Sequence, residues 1–238
     1  LKKIQKQGIT LEKMWDKTEE NISIPATDME HYAEHPDVIF VCVKGYSLQE
    51  TIPFIKRIAR KNTIVIPVLN IYGTGGKMQK ELPDLLVTDG CIYVSANIKE
   101  PGKLLQHGQI LHIVFGVRDK AEFRPELKEI QKDLCDSHID GTLSENIRRE
   151  ALEKFSYVSP IGAAGLYYHV TAADFQKEGE ARELFKTMVK EIAALAEAMG
   201  VPFQKDMAEV NLKNPFQPRT GSNHFHAAGY HGRKTVRN

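Results

Sequence analysis

Lys154 stands in the run Glu153-Lys154-Phe155-Ser156-Tyr157-Val158-Ser159-Pro160, where most of its neighbours are apolar or small. An ammonium desolvated in such a setting has a lowered pKa and can hand a proton to an alkoxide as it develops. The plain alternative, which composition alone favours, is a lysine on a solvated helix face. Ser156 and Ser159 are one helical turn apart and offer hydroxyls for a substrate carboxylate, although helix serines commonly bond back to the preceding turn. Asn70 ends the apolar run 64–69 (IVIPVL) and can both donate and accept, which suits a carboxamide or a carbonyl oxygen and equally an Asx turn. Lys44 ends a second such run, 38–43 (VIFVCV), and suits either a cofactor edge or a solvated loop. Polar residues at the carboxyl ends of parallel strands are where open α/β sheets gather their ligands.

Positioning these residues takes strands and helices. Residues 37–44 and 62–70 are β-branched and nearly continuously apolar, as strands covered on both faces are, and 48–61 between them has helical spacing. That is a β-α-β unit. A helical turn after Gly75 leads through Leu82 to Leu85-Leu86-Val87. Runs at 91–95, 103–106 and 110–115, separated by Pro101-Gly102 and by His107-Gly108 as turns, read as further strands. Residues 1–9 read as the end of a helix capped by Gly8. From Arg124 the pattern becomes helical, over 127–134, 143–169 and 179–199, with a domain boundary expected near 119–125. The expected class is α/β, a partial Rossmann-type sheet domain followed by an all-helical domain.

With 238 residues, 42% hydrophobic and 26% charged, the chain has the composition of a soluble globular protein of one or two domains. Its formal net charge of +1 gives no general attraction to nucleic acid or anionic lipid, so neither is expected as a partner. No run approaches the roughly 18 apolar residues of a membrane span, which leaves the cytoplasm as the default location. Cys42, Cys91 and Cys135 are odd in number and lack C-x-x-C spacing, against a disulfide framework or a zinc site. Cys42 is expected to be a core thiol, and His31 and His35 to lie on a solvated helix face. Residues 214–238 have no acidic residue and no apolar period. Their His224, His226 and His231 lack a carboxylate or cysteine to complete a tetrahedral set, so no metal is expected.

The strand ending on Lys44, Asn70 after the next strand, Pro101-Gly102 with a nearby His-Gly, and Lys154 in a helix followed by small residues together resemble the ketopantoate reductase (2-dehydropantoate 2-reductase) family. The match runs over about residues 1–212. It implies an amino-terminal Rossmann domain for NADP(H) and a helical domain that closes over a small 2-keto acid. The implied chemistry is NADPH-dependent reduction of 2-dehydropantoate to pantoate, in pantothenate and coenzyme A biosynthesis. By the resemblance, Lys154 is the catalytic lysine that hydrogen-bonds the keto oxygen and protonates it. Lys44 borders the cofactor, Asn70 sits near nicotinamide and substrate, and Ala96 brings its backbone to NADP. A homodimer stays open as the oligomeric state.

The chain also departs from the family pattern. Ile71 stands where the family has Gly, and Val158 and Gly162 stand four and eight residues after the lysine where it has asparagines. Ser156 and Ser159 would then replace those substrate contacts, which favours a related 2-keto acid as the alternative substrate. A non-catalytic binding remnant of the fold is the other alternative. No G-x-G-x-x-G is present, so the resemblance places that turn before Leu1 and leads us to expect an inactive fragment. Its parts would be 1–120, a remnant of the NADP-binding domain, 121–212, the helical catalytic domain, and 213–238, a disordered tail. Back-translated with suitable codons and with one A removed at Lys213, that tail reads KILSNLAPEATISMQRDITAGRQSEI. This looks like the family's S-M-x-x-D and S/T-E-I-D segment, so the tail is expected to be a frameshifted readout.

Overall fold

A computed structural model describes residues 1–213; the tail from 214, with its three histidines and expected frameshift, lies outside the described residues. The chain divides into two compact units, one spanning Leu1–Ala151 and one beginning at Leu152.

In the first unit, helix α1 (Lys2–Gln7) ends on Gly8 at φ 74°, the cap expected for it. Strands β1 (Ile9–Lys13) and β2 (Thr18–Ile22) then form an antiparallel hairpin that the sequence did not suggest. Residues 23–37 are neither helix nor strand, so His31 and His35 do not share a helix face as expected. Instead Asp28 accepts from both the backbone N–H of His31 (2.9 Å) and its Nδ1 (2.6 Å), closing a local turn.

The β-α-β unit forms as its pattern requires, with β3 (Val38–Val41), α2 (Leu48–Ile58) and β4 (Ile64–Pro67). The two strands pair in parallel from Val38↔Ile64 to Val41↔Pro67. Helix α3 (Thr74–Glu81) follows, and β5 (Leu86–Val87) adds to β4 in parallel, giving the order β3-β4-β5. Alternate residues of the β4 region go to opposite sides. Val65 and Leu69 pack with Leu48, Ile52 and Ile55 of α2 and with Met78 of α3. Ile64, Ile66 and Val68 pack with Ile113 and Phe115 and with Leu127, Ile130 and Leu134. Burial on both faces explains the unbroken apolar run. Cys42, one residue beyond β3, is exposed, which corrects its expected place in the core.

Strands β6 (Asp89–Glu100) and β7 (Lys103–Gly116) are antiparallel, with Pro101-Gly102 as their turn. His107-Gly108 does not end a strand, contrary to expectation. Between the pairs Ala96↔Gln106 and Val94↔Leu111, β6 advances two residues while β7 advances five. The extra residues form an irregular bulge, which uses the same small and polar residue types as a turn. β1 pairs in parallel with β7, so this sheet runs β2-β1-β7-β6, and β8 (Asp140–Leu143) also pairs with β7 in parallel. Helix α4 (Glu126–Asp136) supplies Leu127, Ile130 and Leu134 to the sheet core, so α4 and β8 belong to the first unit, past the boundary expected near 119–125.

Helix α5 (Ile147–Tyr168) begins in the first unit and continues into the second, which adds α6 (Glu180–Ala198) and α7 (Met207–Leu212). Tyr157, Ile161, Phe175, Phe185, Val189 and Leu212 are among the residues of its core. The fold is a mixed sheet with Rossmann-like parallel strands, followed by a helical region. Among the described residues no helix is long and apolar enough to cross a membrane.

Candidate active site

The first unit contributes a pair of strand tips. Lys44 and Asn70 each lie three residues beyond the last register pair, Val41↔Pro67, and both side chains are exposed. The loops that follow touch, since a Cβ on Gly45 would fall 2.3 Å from Cδ1 of Ile71. A larger residue at position 45 would have to displace the exposed end of the Ile71 side chain. The Lys44 carbonyl accepts from Ser47 N–H at 2.9 Å, starting the turn into α2, and the Ile71 carbonyl accepts from Thr74 Oγ1 at 2.8 Å, starting α3. Both side chains therefore stand at the carboxyl edge of a parallel sheet, on loops fixed by the next helix.

Behind Asn70, the amino end of α3 is filled from within the protein. The Asp89 carboxylate, buried at 7% exposure, accepts from Gly75 N–H at 2.8 Å, and Arg118 Nη1 lies 3.7 Å from it. Burial pushes the Asp89 carboxyl up from its ordinary value, against the pull of Arg118 and the Gly75 and Gly76 amides. A Cβ on Gly75 would come within 2.0 Å of the Thr88 carbonyl oxygen, so this helix start is held directly against the strand. The positive end of α3 is thus neutralised by the protein's own carboxylate and does not stand open to an anion. Sequence reasoning missed Asp89, whose only signal is its place in Val87-Thr88-Asp89-Gly90 after a strand. Ala96 is exposed opposite the β7 bulge, roughly 23 Å along the strand from Asp89. It belongs to a different sheet from the two strand tips.

The second unit contributes the lysine. Lys154 is 8% exposed and Ser156 is fully buried, while Ser159 is half-buried, all three on one stretch of α5. Ser156 Oγ donates to the Glu153 carbonyl at 2.6 Å and accepts from Asn211 Nδ2 of α7 at 3.0 Å. Asn211 is itself 2% exposed, and nothing in the sequence marked it. Pro160 lies inside α5 and has no N–H to give to the Ser156 carbonyl, so the helical ladder is interrupted one turn beyond the lysine. The neighbouring Tyr157 points into the core, where burial pushes its phenol well above the ordinary range. Among the described residues no three His, Cys, Asp or Glu side chains are grouped to hold a metal ion.

Chemically, the strand tips offer a cation and a carboxamide at the edge where such sheets bind cofactors, which fits part of a nicotinamide dinucleotide site. The second unit offers a largely buried ammonium, the group that can stabilise and protonate a developing oxyanion.

The family model described as Ketopantoate reductase PanE/ApbA matches residues 1–120, and Ketopantoate reductase PanE/ApbA C terminal matches residues 146–224. The 2-dehydropantoate 2-reductase of Aquifex aeolicus (strain VF5) is 20% identical over 176 residues, covering 74% of this chain and 57% of that protein. The chain therefore spans little more than half the length of this curated relative. Among solved structures, a ternary D-mandelate dehydrogenase with NADH and anilino(oxo)acetate superposes with a TM-score of 0.81 at 17% identity, over 95% of this chain and 72% of that one. A dimeric ketopantoate reductase from Staphylococcus aureus gives 0.71 at 20% identity, over 86% and 66%. At these identities the structural likeness carries the fold.

Proposed function

The chain belongs to the ketopantoate reductase family, and from that premise we propose that its chemistry is the NADPH-dependent reduction of 2-dehydropantoate to pantoate, a step toward pantothenate and coenzyme A. The observation that carries this reading is a lysine at 8% exposure on the helix of the second unit, in a chain whose parallel strands end on Lys44 and Asn70.

A bound nicotinamide supplies the hydride that forms the new C–H bond at the keto carbon. The chain's own residues do the rest. As that bond forms, the carbonyl π pair moves to oxygen, and Lys154 Nζ donates the proton that makes the alcohol. Lys44 would border the cofactor and Asn70 would hold its carboxamide or the keto acid, whereas Ala96, on the other sheet and far along β6, stands apart from both. Ser159, half-buried, reaches the substrate carboxylate, with Ser156 behind it. A homodimer in the cytoplasm is the state that goes with this reading.

The second reading is a reductase of another 2-keto acid. The likeness to a D-mandelate dehydrogenase supports it, as do Val158 and Gly162 on the lysine's own helix. Both readings need Lys154, and the substrate separates them. NADPH and NADH oxidation is to be followed with 2-dehydropantoate and with an aryl 2-keto acid. Cofactor should be in excess, because the sequence holds no G-x-G-x-x-G. Lys154→Ala should lower turnover by about 10²- to 10⁴-fold with a smaller change in KM. Undiminished turnover in that variant would remove the mechanism.

A further inference from the structure

We infer that Asn211 is a positioning residue for Lys154, acting through the Ser156 hydroxyl. The inference rests on the reading of Lys154 as the proton donor and adds to it a group on a different helix. A hydroxyl has one proton and two lone pairs. Asn211 Nδ2 donates into Ser156 Oγ at 3.0 Å, which leaves the serine proton directed at the Glu153 carbonyl, 2.6 Å away. Glu153 immediately precedes Lys154, so this relay ends on the peptide unit that carries the lysine.

The helix needs such a tie at this point. Pro160 cannot donate to the Ser156 carbonyl, so one rung of the ladder is absent, and a serine bonded back to its own helix tends to bend it further. A turn weakened in this way lets its side chains wander unless something outside the helix fixes it. Helix α7 is suited to the task because both of its ends are held. Asp206 accepts from the N–H groups of Ala208 (2.9 Å) and Glu209 (3.3 Å), and Gln176 Nε2 donates to the Leu212 carbonyl at 2.7 Å. Met207, Ala208 and Leu212 anchor its apolar side in the core, which leaves Asn211 on a fixed platform. Ser156 at 0% and Asn211 at 2% exposure exchange no hydrogen bonds with bulk water, so losing either partner costs the relay outright.

The test reads the lysine directly and needs no turnover. The 238-residue protein is trace-labelled with acetic anhydride across pH, and acetylation of Lys154 is quantified by peptide mass spectrometry. Asn211→Leu should raise the labelling rate of Lys154 about tenfold, the equilibrium equivalent of one hydrogen bond that no longer holds the turn closed. Ser156→Ala should do the same, and the double variant should add nothing further, because both changes break one relay. Val189→Ala, a core truncation on α6 outside the two tied helices, should lower the melting temperature while leaving the Lys154 labelling profile in place. If Asn211→Leu does not fold, Asn211→Ser, too short to reach Ser156, is read in the same way. Unchanged Lys154 labelling in the Asn211 variant, additive effects in the double variant, or an equal response to Val189→Ala would each overturn the inference. Failure of Lys154→Ala to affect turnover would instead strike the functional reading and leave the labelling result standing.

Discussion

Tyr157 and Asp174 show how differently two polar groups of the same unit are treated. The Tyr157 hydroxyl is buried and has no hydrogen-bond partner among the described residues, although its ring belongs to the core. Removing an unsatisfied buried hydroxyl recovers its desolvation penalty, so Tyr157→Phe should leave the urea midpoint unchanged or raise stability by up to about 1 kcal/mol. A clear loss would mean that the phenol has a partner when the protein is in solution. Asp174 is the reverse case. Its carboxylate accepts from Lys177 Nζ (2.8 Å) and from Thr171 N–H (2.9 Å) and Oγ1 (2.8 Å), and these bonds hold its pKa down at about 2 from 3.8. A pKa depressed in the folded state gives stability that is present above 3.8 and lost as pH falls toward about 2. Asp174→Asn should therefore melt below the parent protein at pH 7, with the difference closing across that acid window. A gap that stays constant with pH would show that the charge plays no part. Of the single residues, the burial of Lys154 was legible from its apolar neighbours, whereas the contact of Asn211 was not, because Ser156 lies 55 positions away in sequence.

Among the elements, α3 illustrates how a short helix of low apolar content is fixed by its first turn. Thr74, Gly75 and Met78 are its buried residues, and its amino end is closed by Asp89. A methyl group at position 75 would overlap the Thr88 carbonyl, which is backbone and cannot swing aside. Gly75→Ala should cost about 1–3 kcal/mol, or more if the Asp89 bond is lost as well, read as a fall in the urea midpoint. A neutral outcome would show that the strand and helix can separate without loss. The elements with a strong period were plain in the sequence: β3, α2 and β4 came from their apolar runs, and α4 and α6 from helical spacing. The β1-β2 hairpin was hidden because every residue of β2 is exposed and three of its five are Glu or Asn, so it has no apolar face to betray a strand. The length of β7 was hidden for another reason, since Gly108 signals a change of backbone direction and a bulge satisfies that signal as well as a turn does.

For the whole molecule, connectivity decides where the chain can be cut. The two compact units are joined through α5, a continuous helix, whereas residues 23–37 have no regular structure and are mostly exposed. Glu30 and Glu34 in that segment are exposed, while Glu150 and Glu153 lie on the helix. A glutamate-specific protease should therefore cut native protein first at Glu30 or Glu34, because local opening there breaks few contacts. Around the two glutamates the segment is held by Arg57 on α2, which donates Nη1 to the Tyr32 carbonyl at 2.7 Å and Nη2 to the Met29 carbonyl, by the Tyr32 ring set edge-on to Phe54, and by His35 Nδ1 at 2.7 Å from the Ile58 carbonyl oxygen. Arg57→Ala should speed the cut by about tenfold, since cleavage follows the population of the open segment. The nicked amino-terminal piece should nevertheless co-elute with the rest in gel filtration. Its β1 is an inner strand, paired in parallel to β7 from Thr10↔Lys103 to Lys13↔Gln106, and Glu12 holds Lys99 (2.7 Å) and Lys103 (3.3 Å). Prior cleavage at Glu150 or Glu153 would show that α5 opens more readily than the loop, and release of the nicked piece would show that β1 adds little to the sheet it completes.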